Sequence, residues 1–128
     1  MKSAIAASLF FVAAANAAQP PMTREGPALY RLYCASCHGM EGKGDGPIAS
    51  ALKTAPPDLT RISARNDGKF PMERVVKIIK GDEGGATAHG VRDMPVWGPI
   101  FSHVENDQDA GPVRIDNVAR YLRKIQKR

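Results

Sequence analysis

Cys34 and Cys37 are the only two cysteines of the chain, and His38 directly follows the second. Two thiols three positions apart beside an imidazole suit three chemistries: a thiol redox pair, part of a metal site, or the attachment point of a haem. The stretch that follows, "GMEGKGDGP" at residues 39–47, is a loop by composition.

A redox C-x-x-C sits at the start of a helix after a strand, whereas no strand pattern precedes Cys34 and the histidine comes after the pair. A structural zinc site takes four protein ligands, and His89 and His103 are too widely spaced for a finger. A plain surface disulfide with an incidental histidine is the least specific reading. Haem attachment uses every feature: the thiols reach the two vinyl groups of one porphyrin, and the next imidazole lies under the ring where it binds the iron. Backbone that wraps a porphyrin edge must turn tightly and approach closely, which suits the glycines.

A second axial ligand is then expected. Met40 lies too close to His38 to pass around the ring, Met22 precedes the first helix, and Met72 opens a helix as a core filler. Met94 stands in "RDMPVWG", where Pro95 disfavours helix and holds a loop open. Met94 is therefore the expected sixth ligand, with His89 as its rival and His103 as an exposed loop histidine.

The elements that must position these groups start after an N-terminal leader. Lys2, an apolar run from Ala4 to Ala15, and Ala15-Asn16-Ala17 read as a signal peptide over residues 1–17, leaving a domain over 18–128. The run is too short to span a bilayer, which takes about 20 apolar residues. Few aromatics and ten prolines make a thin core, which a large apolar cofactor would complete. The net charge of +5 favours acidic partners without pointing to nucleic acid.

The spacing predicts a short helix from Pro27 to Ala35, a turn near Ile48–Leu52, and extended chain at "KTAPPDLTRIS". Val75, Ile78 and Ile79 place one apolar face on a helix that Gly81 ends. Ile115, Val118, Ala119, Leu122 and Ile125 form the face of a final helix. No strand alternation occurs, and the fold class is all-α with long loops.

"CASCHG", "GKGDGP" and "MPVWG", with helices at both ends, make the chain resemble a class I c-type cytochrome of the bacterial periplasmic, monohaem kind. The resemblance implies a small all-α fold wrapped around one covalent haem c. It implies Cys34 and Cys37 as attachment residues, and His38 and Met94 as axial ligands. It also implies crossed terminal helices, with Gly26 and Tyr30 meeting Val118 or Leu122 and Tyr121. A Gly-Pro turn, here Gly46-Pro47, would orient His38 through a backbone carbonyl. Trp97 would pack on the haem or its propionates, or else be an ordinary packing residue. Thr60 and Arg61 are among the candidates for the propionates.

The function so implied is electron transfer in the periplasm, with redox proteins bearing acidic docking surfaces as partners and no membrane anchor. The alternative is an electron-accepting cytochrome subunit of a periplasmic dehydrogenase or oxidase. A haem ligand sensor or a thiol oxidoreductase is a more distant reading. No Ser-His-Asp grouping, carboxylate pair or phosphate loop gives the chain catalytic machinery, so an enzyme is not expected.

Overall fold

Pro27 sits in the first turn of α1 (Gly26–Tyr33), where its missing N–H costs nothing. Leu29 and Tyr30 are its buried side chains. The structure, a computed structural model, describes residues 24–83, 94–103 and 109–127. The expected leader over residues 1–17 lies outside them.

The first helix breaks at Cys34, whose amide still donates to the Tyr30 carbonyl at 2.9 Å, and a single turn, α2 (Ala35–His38), continues it. Short 3-10 turns follow at Ala49–Ala51, Leu59–Arg61 and Ala64–Asn66. In α3 (Met72–Lys80), Val75 and Ile79 fall one turn apart and are buried. Gly81 ends the helix in the left-handed region at φ 101°, its amide bonded to the Lys77 carbonyl at 2.9 Å.

Two helices differ from the sequence expectation. The spacing predicts no helix after "MPVW", yet α4 (Trp97–His103) forms there. Pro99 lies in its first turn, where an N–H has no intrahelical acceptor anyway. The last helix, α5 (Ala110–Lys124), starts before its apolar stripe for the same reason, with Pro112 in its first turn. His103 accordingly caps a helix end, exposed, instead of lying in a loop. No strand occurs among the described residues.

The core gathers on α5, which packs against α1, α3 and α4. Ile115, Val118, Ala119 and Leu122 are nearly inaccessible there, together with Leu29 and Phe101. Each large apolar side chain so buried contributes about 1.5–3 kcal/mol. The α1–α5 crossing is as close as the resemblance implied. A Cβ on Gly26 would collide with the Asn117 carbonyl, and Tyr30 lies 5.2 Å from Tyr121 between ring centroids. The fully buried Arg114 of α5 donates from Nη1 to the Phe101 carbonyl at 2.9 Å, tying α5 to α4.

Candidate cofactor site

The break between α1 and α2 sets the geometry of the three opening residues. Amides of Cys37 and His38 both turn back onto the Cys34 carbonyl, at 3.2 and 2.9 Å. Both thiols are free and half-buried, while His38 is only 9% exposed.

The glycine loop folds back over this turn. Gly44 donates to the His38 carbonyl at 2.8 Å, Gly46 to Cys37 at 3.1 Å, and Ile48 to Ser36 at 3.1 Å. Tyr30 Oη holds the loop's start by donating to the Gly39 carbonyl at 2.7 Å. Gly44 is left-handed at φ 83° and packs so tightly that a Cβ would strike the Pro56 carbonyl. No other residue type fits both conditions. Leu59 then donates to the Gly42 carbonyl at 2.7 Å, so the Pro56–Leu59 segment is laid directly along the loop.

These elements enclose a cavity of about 930 Å³, at the upper end of the volumes that hold small-molecule cofactors. Cys34, Cys37, His38 and Met94 all line it, and Val75, Ile79, Val118 and Leu122 give it an apolar wall. The four residues expected from type, spacing and resemblance thus meet in one space.

The electrostatics fit a haem. Burial lowers the His38 pKa and keeps the imidazole neutral, the form that binds a metal. The Pro57 carbonyl acts on the ring in the opposite sense, although Nδ1 is buried without a direct hydrogen bond. An orphaned imidazole nitrogen in an apolar cavity is costly unless the ring has a further task. Cys34 argues against thiol redox chemistry. Burial, and then the neighbouring Cys37, push its thiol up to about 12, whereas a redox nucleophile needs a lowered value.

Several expectations need correction in detail. Pro47 is exposed and does not line the cavity, whereas Pro56 and Pro57 line it together with His38. The reason is that Gly46 packs on the Cys37 backbone and fastens the attachment turn, while Pro56-Pro57 is the stretch led past the ring. Thr60 and Arg61 are not at the cavity either. Thr60 is buried and donates to Asp58 Oδ1 from its hydroxyl at 2.6 Å and its amide at 2.8 Å. Thr54, Arg65, Asn66 and Arg74 supply polar groups to the lining instead.

Trp97 lines the cavity as well, packed between Tyr33 and Phe101 with ring centroids 5.5 Å from each. Met72 is partly buried against the core, away from the cavity, as a filler should be. His89 and Met22 lie outside the described residues.

An all-helical shell around an apolar cavity, with a C-x-x-C-H turn in its wall, defines a small class I c-type cytochrome. Residues 21–122 match the family described as cytochrome c oxidase, cbb3-type, subunit III, and the chain belongs to that family. Comparison with the curated proteins and with the solved structures finds no match. Membership carries covalently bound haem c and haem-based electron transfer with it.

Proposed function

We propose that the chain is a periplasmic electron carrier holding one haem c through Cys34 and Cys37, with His38 and Met94 as the two axial ligands. The observation that carries this reading is the placement of these four residues on one apolar cavity, with the imidazole buried and neutral. When bound, the haem supplies one-electron chemistry by cycling its iron between ferric and ferrous states.

The chain's own residues do the rest. Val75, Ile79, Val118 and Leu122 exclude water from the cavity. His38 and the Met94 thioether would hold the iron from the protein, which would leave no position for a substrate and favour a high potential. Arg65 and Arg74 line the cavity and would offer positive charge to the haem's two propionates, although Arg74 Nε also pairs with Glu83 at 2.8 Å. Residues 1–17 direct export and are removed, which places the domain where haem c is attached.

The net charge of +5, lowered by one when Lys2 leaves with the leader, supports docking to redox proteins with acidic surfaces. Exposed Lys77 and Lys80 of α3 and the cationic end of α5 are available for it, although Lys80 also pairs with Asp82 at 2.9 Å. Rates of electron exchange with an acidic partner should therefore fall as salt rises.

The test is the optical spectrum of the holoprotein, oxidised, reduced, and reduced under carbon monoxide. A sharp reduced alpha band, a weak far-red sulfur-to-iron band when oxidised, and no response to carbon monoxide are expected. Loss of the sulfur band would transfer the ligand role from Met94 to His89 or to none. A carbon monoxide shift would turn the reading towards a sensor.

The family description favours a second reading, a cytochrome subunit of an oxidase complex. Gel filtration of a native periplasmic extract separates the two, since a free carrier elutes at its own mass and a subunit does not.

A further inference from the structure

The chain's last turn reaches across to the wall of the cavity. Gln126 donates from Nε2 to the Leu59 carbonyl at 2.8 Å and to the Leu122 carbonyl at 2.7 Å. Its Oε1 accepts from the Ser63 amide at 2.8 Å. The next residue, Lys127, donates its amide to the Thr60 carbonyl at 2.9 Å. One amide side chain thus joins the end of α5 to both ends of the 59–63 turn, a span of more than sixty residues in sequence.

That turn is the far end of the segment that passes His38. Pro57 lies two residues before Leu59 and lines the cavity together with His38, whose Nδ1 is buried without a hydrogen-bond partner. Leu59 is gripped on its other side by the Gly42 carbonyl, at 2.7 Å, and Gly42 itself rests against Ile125 and Tyr30. Pro56 and Pro57 have no amide hydrogen of their own to anchor them. Their position is therefore set from outside, by the Gly44 contact at one end and by Leu59 at the other.

We infer that Gln126 is a positioning residue for the axial imidazole: by pinning the 59–63 turn it fixes the Pro57 carbonyl relative to His38. Nδ1 is buried with no hydrogen-bond partner in the protein. The placement of the 57–59 segment then governs whether that nitrogen gains a backbone acceptor, a bond that would orient the ring and raise its basicity towards iron. This rests on the reading that His38 binds the iron. Haem propionates and acidic partners play no part in it.

The experiment follows the Nδ1 proton of His38 in reduced holoprotein labelled with nitrogen-15 histidine. Gln126→Ala removes all three hydrogen bonds. Gln126→Glu keeps the acceptor for Ser63 but faces two carbonyls it cannot bond. Asn117→Ala is the comparison, because Asn117 bonds the Arg24 carbonyl at 2.8 Å and stands off the cavity.

Exchange of the imidazole proton should quicken roughly ten- to a hundredfold in Gln126→Ala, and measurably in Gln126→Glu, as local opening becomes easier. Asn117→Ala should leave it unchanged. The inference is overturned if the amides of Leu59 and Lys127 exchange faster in the Gln126 variants while the imidazole proton does not. Should Gln126→Ala fail to keep its haem, Gln126→Glu decides alone. An unaltered protein whose His38 shows no iron-bound imidazole signal would instead remove the ligand assignment itself, a failure visible before any variant is made.

Discussion

The indole of Trp97 meets the phenol ring of Tyr33 edge to face, centroids 5.5 Å apart, and Phe101 closes the triangle at 5.1 Å from Tyr33. Tyr33 directly precedes Cys34, and Trp97 stands three residues after Met94. The cluster is therefore a strut between the attachment turn and the loop that carries the expected sixth ligand. Trp97→Ala should cost about 2–4 kcal/mol of stability, slightly less than truncation of a fully buried aromatic. It should also bleach the sulfur-to-iron band at lower temperature than in the parent protein. Trp97→Phe should keep the band, losing about 0.5–1.5 kcal/mol. A Trp97→Ala protein whose band melts together with the parent's would show that the strut does not hold Met94.

Gly44 offers a test of the loop that wraps the site. Its left-handed φ of 83° and the Pro56 carbonyl against its Cα make Gly44→Ala doubly unfavourable, at about 2–4 kcal/mol. Gly68 is also left-handed, at φ 77°, but nothing lies within 4 Å of a Cβ there. Gly68→Ala should lose only about 1 kcal/mol, the conformational part alone. Denaturant unfolding of the two holoproteins measures the difference, and equal losses would mean that the Pro56 contact is unimportant.

Cys34 makes a prediction for the protein before haem is attached. With its thiol pushed up to about 12, it is almost wholly protonated at pH 8. Alkylation of Cys34 by iodoacetamide should then be slow, rising about tenfold per pH unit until the thiolate forms. Peptide mass spectrometry reads this directly. Rapid modification at pH 7 would reopen thiol chemistry for the pair.

Asp58 predicts the acid limb of stability. The Thr60 hydroxyl and amide, aided by the charges of Lys127 and Arg65, lower its carboxyl pKa below the ordinary value. A carboxylate whose folded pKa is depressed stabilises the fold above its unfolded pKa, and that stability is lost as pH falls through the folded value. Asp58→Asn should therefore be less stable than the parent at pH 7, with the gap closing below about pH 4. A gap that persists unchanged at pH 3 would assign the loss to hydrogen bonding alone.

Much of this was legible because it is local. The helix faces of α3 and α5 follow from the spacing of Val75 and Ile79 and of Ile115, Val118, Ala119 and Leu122. Gly81 ends α3 as a glycine should, and the C-x-x-C-H turn names its own chemistry. Helix α4 is not legible in the sequence, because Pro95 disfavours helix just before it and its seven residues are too short for a clear apolar period.

Residue order alone places two thiols and an imidazole on one turn, lets a glycine loop follow, and gives the terminal helices faces able to cross. Their geometry is encoded within a few residues of each. Long-range packing is what brings Pro57 and not Pro47 to the cavity with His38, brings Arg65 and Arg74 to its lining, and lets Gln126 clasp its wall. Those relationships join segments far apart in the chain. They depend on how the loop and the 56–66 segment pack against α5, and no local periodicity carries that information.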